Sequence, residues 1–279
     1  EYLYSLSHNY TSRYTLLLAD EDQQEILKGL AEGLRKLPFK GMRLGPVAEN
    51  DINMNRLQQA MESSGFECYR DFRFFNWIHR LKGQSFEEYM AARPARVRNT
   101  IARKHRKLER EHGFDIRLFT GDGDDLQQAM TDYNTAYKAS WKANELFGGF
   151  IEGLVRGLSE PGWLRLAILY IDGQPAAAQL WFVAHAKASI FKLVYDEDWK
   201  QYSPGSILTR YLMKYVIDSD KVEEIDFLTG NDAYKQDWMS ERSEYWGLSC
   251  VNRREPRGRI YSLFAPLKGL LRRLKDHSG

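Results

Sequence analysis

Between Ser189 and Trp238 the chain reads strand, glycine loop, helix, strand, loop, and no other stretch narrows the choice of fold as far. Ser189–Asp196 is rich in β-formers, with Ile190, Phe191, Leu193, Val194 and Tyr195, and ends in an acidic turn. Tyr202-Ser203-Pro204-Gly205-Ser206 follows, and then Ile207, Leu208, Tyr211, Leu212, Tyr215 and Val216 recur at helical spacing. Glu224–Gly230 is a second short apolar strand closed by glycine, and Asn231–Trp238 completes the unit. Two such strands on either side of one helix are expected to be neighbours in a single sheet.

The loop has its own chemistry. Ser203 is a suitable N-cap, Pro204 suits the first helical position, and Gly205 leaves the backbone open to close approach. The first-turn N–H groups of Gly205, Ser206 and Ile207 would then face outward at the positive end of the helix dipole, where a pyrophosphate would fit. The same residues would equally serve only to start a helix.

The rest of the chain supports an α/β protein of two units. With 279 residues, 43% of them hydrophobic and 13% aromatic, the chain is long enough for two cores. A net charge of +2 gives no compositional argument for nucleic acid, and two cysteines, Cys68 and Cys250, make neither a disulfide framework nor a zinc set. A reducing, cytoplasmic setting is expected, without a signal peptide or an apolar run long enough to cross a membrane. The chain begins at Glu1 rather than Met, so it is expected to be part of a longer product.

Residues 1–83 read as a small α/β domain with helices over 20–37 and 50–64 and strands over 41–47 and 66–78. The many aromatics of that last strand are read as core rather than as a ligand cage. Residues 84–112 read as a linker whose helix carries Arg93, Arg96, Arg98, Arg103, Lys104, Arg106, Lys107 and Arg110. That helix is either a solvated connector or a surface for an anionic partner. Residues 113–255 form the main domain, with a helix over 125–143 and strands at 114–119, 163–171, 176–183, 189–195, 225–228 and 246–251. Asp172-Gly173 marks a hairpin turn between two of those strands. The basic amphipathic tail 256–279 would lie on an anionic membrane face or pack on the first domain.

The order Asp172-Gly173, Ala176-Ala177-Ala178-Gln179, Tyr195-Asp196, Ser203-Pro204-Gly205, Asp226-Phe227, Gly230 and Tyr234-Lys235-x-x-Trp238 resembles the GNAT-like acetyltransferases of the cellulose and exopolysaccharide branch. These are related to the FemAB/FemX transferases. The resemblance covers about Arg98 to Cys250. It implies tandem GNAT-like domains with a mixed central sheet flanked by helices, the first domain being a partial, degenerate copy.

The resemblance further implies an acyl-CoA donor, no metal, and an acceptor that is a sugar amine, amino acid or polysaccharide precursor held in a cleft between the domains. The donor arm would pair with the backbone at Leu193, Val194 and Tyr195, and its pyrophosphate would meet Ser203, Gly205, Ser206 and Ile207. Asp226, a carboxylate in an apolar strand, is the candidate base, with capping of a neighbouring loop or pairing to Lys192 as its structural alternatives. Tyr234 would protonate the departing thiolate, and Lys235 would hold a phosphate or carboxylate. Trp141, Gln179, Lys192, Asp232 and Trp238 are candidate acceptor contacts. An aminoacyl-tRNA-dependent transferase, favoured by the basic helix, and a non-catalytic scaffold of the same fold are the alternatives.

Overall fold

The computed structural model describes residues 2–121, 124–142 and 147–252. Along them run β1 (Tyr2–Tyr4), α1 (Gln23–Lys36), β2 (Gly41–Ala48), α2 (Ile52–Ser63) and β3 (Phe66–Arg80). Next come α3 (Phe86–Ala91), α4 (Ala95–Glu111), β4 (Phe114–Phe119), α5 (Leu126–Lys138) and α6 (Phe150–Ser159). The hairpin strands β5 (Leu164–Ile171), β6 (Gln174–Ala184) and β7 (Lys187–Tyr195) follow. A 3-10 helix, Glu197–Tyr202, then leads to α7 (Pro204–Asp218), β8 (Glu224–Thr229), α8 (Lys235–Trp238) and β9 (Glu241–Asn252).

Contacts group these elements into two units. The first comprises the described parts of 1–77, 229–233 and 241–279. Its strand order is β1-β2-β9-β3. β1 runs parallel to β2, and β2 pairs antiparallel with β9 from Gly41↔Val251 to Ala48↔Tyr245. Gly41 is required by that closeness, because a Cβ there would stand 2.5 Å from the Cys250 carbonyl. α1 and α2 bury Leu27, Ala31, Met54, Leu57 and Met61 against Met42, Leu44 and Leu248. The aromatics of β3 pack within the sheet, Phe72 edge-on to Trp246 and Phe74 stacked on Tyr245.

The boundary expected at Gly83, and a main domain running to 255, are not where these contacts divide the chain. β9 groups with the first unit because its ladder partner is β2, a long-range pairing that no local pattern encodes. α4, expected as a linker, belongs to the second unit. The tail 256–279 lies outside the described residues.

The second unit comprises 78–228 and 234–240, with strand order β8-β7-β6-β5-β4. Three ladders are antiparallel and β7/β8 is parallel, so the sheet is mixed, as expected. Asp172-Gly173 and His185-Ala186, all with positive φ of 49° to 77°, make the two hairpin turns in the primed geometry that matches strand twist.

Side chains alternate across the sheet. One set, including Leu166, Ile168, Ala178, Leu180 and Val194, forms a core with Tyr133 of α5 and Val155 of α6. On the opposite face, Gln179 donates from its amide nitrogen to the Gly205 carbonyl and to Thr209 Oγ1, both at 2.8 Å, on α7. Arg165 of β5 grips Asp220, just beyond α7, through two nitrogens at 2.7 and 2.9 Å. α7 is therefore fixed to the sheet at both ends, and β7 lies between two helical layers.

Candidate active site

The two edges of β7 behave differently. Toward β6 it is paired from Lys187 to Tyr195, with one extra residue, Phe191, opposite the Leu180–Trp181 step. Toward β8 it forms three parallel pairs only: Lys187↔Glu224, Ala188↔Ile225 and Ser189↔Asp226. Beyond Ser189 the strands part, leaving the backbone of 190–195 open on that side.

Side chains take over where the ladder stops. Asp226 Oδ1 accepts the N–H of Leu228 at 2.8 Å, and Leu228 adopts a left-handed φ of 51° that turns the end of β8 away. For a branched residue that conformation costs roughly 1–2 kcal/mol. Lys235, only 3% exposed, donates from its Nζ to the Phe227 carbonyl at 3.0 Å and reaches the Leu228 carbonyl at 3.5 Å. A buried ammonium and a buried carboxylate thus satisfy backbone groups that a continuous ladder would have used.

Asp226 is 3% exposed, as its apolar strand implies, but its partner is Lys187 rather than Lys192. Lys187 also bonds Glu224 at 3.0 Å. Burial works against the Lys187 ammonium, yet the Asp226 and Glu224 carboxylates outweigh it and hold its pKa above the ordinary lysine value. With Oδ1 on Leu228 and Oδ2 on Lys187, Asp226 is built into the strand end. Lys192 sits on the Leu180 side of the sheet, over the Phe191 ring.

The start of α7 also differs from its expected form. Ser203 is left-handed, with φ 54° and ψ 51°, and makes no side-chain cap. Its carbonyl instead accepts the N–H groups of Ser206 and Ile207 at 3.0 and 3.2 Å. Of the three expected anion donors, the Gly205 amide alone has no carbonyl partner among the described residues. Gly205 itself faces β7: a Cβ there would meet Tyr195 Cδ1 at 3.2 Å and Leu193 Cδ2 at 3.5 Å. Glycine leaves room for the helix to sit close to the strand, and Gln179, fully buried, holds that approach by bonding the Gly205 carbonyl. Gln179 Oε1 accepts Trp181 Nε1 at 2.8 Å, so this residue clamps the helix and does not line an acceptor site.

The remaining candidates divide by exposure. Tyr234 is 44% exposed beside Phe227, with ring centroids 6.1 Å apart. Trp238 is buried, and its carbonyl accepts Tyr89 Oη at 2.7 Å and Arg93 Nη1 at 2.8 Å, a packing role. Trp141 lies beyond α5, which ends at Lys138 rather than near 143, and its half-exposed ring tilts against Tyr195 at 4.5 Å. Val194 is buried in the α5/α6 core, and Leu193 points to α7. Asp232 is exposed and belongs to the segment 229–233 of the first unit. Lys187 escaped the sequence reading, although a lysine opening a strand two residues before Ser189 was the available signal.

An open strand edge beside a helix start can bind an extended, amide-containing chain by β-type hydrogen bonds, with an anion at the Gly205 amide. That fits the pantetheine arm and pyrophosphate of a CoA thioester. Among the described residues no group of three His, Cys, Asp or Glu is placed to hold a metal ion, and no helix is long and apolar enough to cross a membrane.

The sequence matches the acetyltransferase (GNAT) domain family over residues 95–236, just over half of the chain. A search of the curated proteins gives no significant match. Among solved structures the fold is similar to FemX, with a TM-score of 0.61 and 12% identity over 90% of this chain and 81% of that one. It is similar to the C-terminal domain of a putative lysylphosphatidylglycerol synthetase from Agrobacterium fabrum (TM-score 0.55, 13% identity, 89% and 78% covered). It is also similar to L-PGS from Bacillus licheniformis (TM-score 0.54, 12% identity, 89% and 79% covered).

Proposed function

The chain belongs to the acetyltransferase (GNAT) domain family and is an acyltransferase, and from that premise we propose that it moves an acyl group from acyl-CoA to a sugar amine, an amino acid or a polysaccharide precursor. The observation that carries the donor assignment is the parting of β7 from β8 after Ser189↔Asp226.

In this reading the pantetheine amides pair with the open edge of β7, and an amide of Leu193 or Val194 polarises the thioester carbonyl. The Gly205 amide, with the α7 dipole behind it, takes the pyrophosphate. The acceptor nitrogen or oxygen attacks the carbonyl carbon, the C–S bond breaks, and the thiolate takes a proton from Tyr234. The acceptor loses its own proton to solvent or to a base. Asp226 and Lys235 act by keeping the strands apart. We also read the first unit, with α1 and α2 on the β1-β2-β9-β3 sheet, as a reduced copy of the same fold. The expected cytoplasmic location remains part of the proposal.

Calorimetry with acetyl-CoA, and release of free thiol in the presence of an acceptor panel, test the assignment. Wild type should bind acetyl-CoA. Tyr234→Phe should bind it equally but release thiol about 100-fold more slowly, the usual scale for a lost general acid. Absence of acetyl-CoA binding would sink this reading. The basic surface of α4 favours one other donor, aminoacyl-tRNA. Binding of neither donor would leave a scaffold that keeps the fold without the chemistry.

A further inference from the structure

The charges on α4 fall into two groups. Many are already matched: Arg96 pairs with Asp237, Lys104 donates to the Gln201 carbonyl, His105 meets Glu109, and Lys107 and Arg110 reach Glu111. Arg98, Arg103 and Arg106 have no carboxylate partner among the described residues, and of these Arg98 and Arg106, eight residues apart, share one stripe of the helix. Arg98 spends only its Nε, on the Arg93 carbonyl at 3.2 Å. Across from them Arg210 of α7 lies over the Phe86 ring at 5.4 Å, likewise without a carboxylate. These three arginines line one groove of about 400 Å3 with His105 and the apolar Met90, Ile101 and Ala102.

Three unneutralised guanidinium groups around one groove repel one another, and in a chain whose net charge is only +2 their concentration is local. An anion relieves that repulsion, and phosphate matches the planar fork of arginine through paired hydrogen bonds. The apolar part of that lining suits the flat body of a nucleoside. Position then selects the nucleotide. Arg210 stands four residues after Ser206, one helical turn or about 6 Å along α7 from the end assigned above to the pyrophosphate. CoA carries a third phosphate on its ribose, beyond the pyrophosphate. We propose that the α4/α7 groove binds the 3′-phosphorylated nucleotide end of the donor, with Arg98, Arg106 and Arg210 gripping that phosphate, and so selects CoA over donors that lack it. This rests on the donor assignment above.

The test is calorimetric binding of CoA, 3′-dephospho-CoA and adenosine 3′,5′-bisphosphate to the whole chain, as wild type and as the Arg98→Gln/Arg106→Gln/Arg210→Gln variant. Arg103→Gln, an exposed charge on the same helix outside the groove, calibrates the general field. Wild type should prefer CoA over dephospho-CoA by roughly tenfold or more. The triple variant should lose that preference while binding dephospho-CoA as before, and the bisphosphate should compete with CoA in wild type only. Unchanged CoA affinity in the triple variant, or equal weakening of both CoA forms, would overturn the groove assignment and leave the donor assignment standing. A wild type that binds neither CoA form overturns both. Matching circular dichroism spectra establish that the variant is folded.

Discussion

The two edges of β7 are made of the same residues and are held by opposite means. Toward β6, backbone bonds backbone for the whole length of the strand, and Gln179 locks α7 over the result. Toward β8, after three pairs, the backbone is left open and the geometry rests on Asp226, Lys235 and the left-handed turn at Leu228. A ladder spreads its stability over many bonds, so single substitutions disturb it little. An opening supported by two side chains concentrates the same duty in a few atoms. The closed edge should therefore govern stability and the open edge function.

The sharpest test of that contrast is Gln179→Leu. It removes three buried hydrogen bonds and leaves Trp181 Nε1 without an acceptor, so a loss of about 2–4 kcal/mol in urea unfolding is expected. Intact stability with lost acyl-CoA binding would invert the comparison. Lys235→Met keeps length and packing but strips the Phe227 carbonyl of its donor. It should cost less stability, about 1–3 kcal/mol, yet weaken acetyl-CoA binding more than Gln179→Leu does at a temperature where both are folded. If the two variants lose affinity in proportion to stability, the edges are not functionally distinct.

The smallest effect concerns the Asp226–Lys187 pair. The Lys187 pKa is raised in the folded state, so the pair's contribution is fully present below the ordinary lysine value of 10.5 and fades as pH rises through the higher folded value. Stability measured against pH should be insensitive to this pair near neutrality and lose it only in the alkaline range. Asp226→Asn should shrink that alkaline decline to the part that Glu224 sustains, while keeping the bond to the Leu228 amide. A decline near neutral pH that vanished in the variant would contradict the assignment.

Much of the closed edge was legible in the sequence. Asp172-Gly173 announced its hairpin because a primed turn needs those residue types, and the apolar stripe from Ile207 to Val216 marked α7. Strand candidates at 114–119, 163–171 and 176–183 fell close to β4, β5 and β6, the first by its alternating burial and the other two as short apolar runs bounded by turn residues. The open edge was legible only as a place. Asp226, Tyr234 and Lys235 were marked, but their partners were not, since Lys187 and the Phe227 carbonyl are brought to them by register and by a turn at a leucine, which carries no turn signal. The 3-10 helix Glu197–Tyr202 was missed for a similar reason, being two short turns without an apolar repeat. The N-cap carbonyl of Ser203 takes the first intrahelical bonds of α7, from Ser206 and Ile207, which is why two of three expected anion donors are already used.

The three-rung β7/β8 ladder also has a kinetic meaning. Folding brings the two strands together for three pairs and stops, so in the proposed reading the sheet is completed by a donor that lays its own amides along 190–195. Backbone amide protons on that edge should trade with solvent deuterium quickly in the empty protein and slowly in the occupied one, while those facing β6 keep one slow rate throughout. Occupancy of the site is thus written into the exchange rates of a single strand, and can be read there before any acceptor is known.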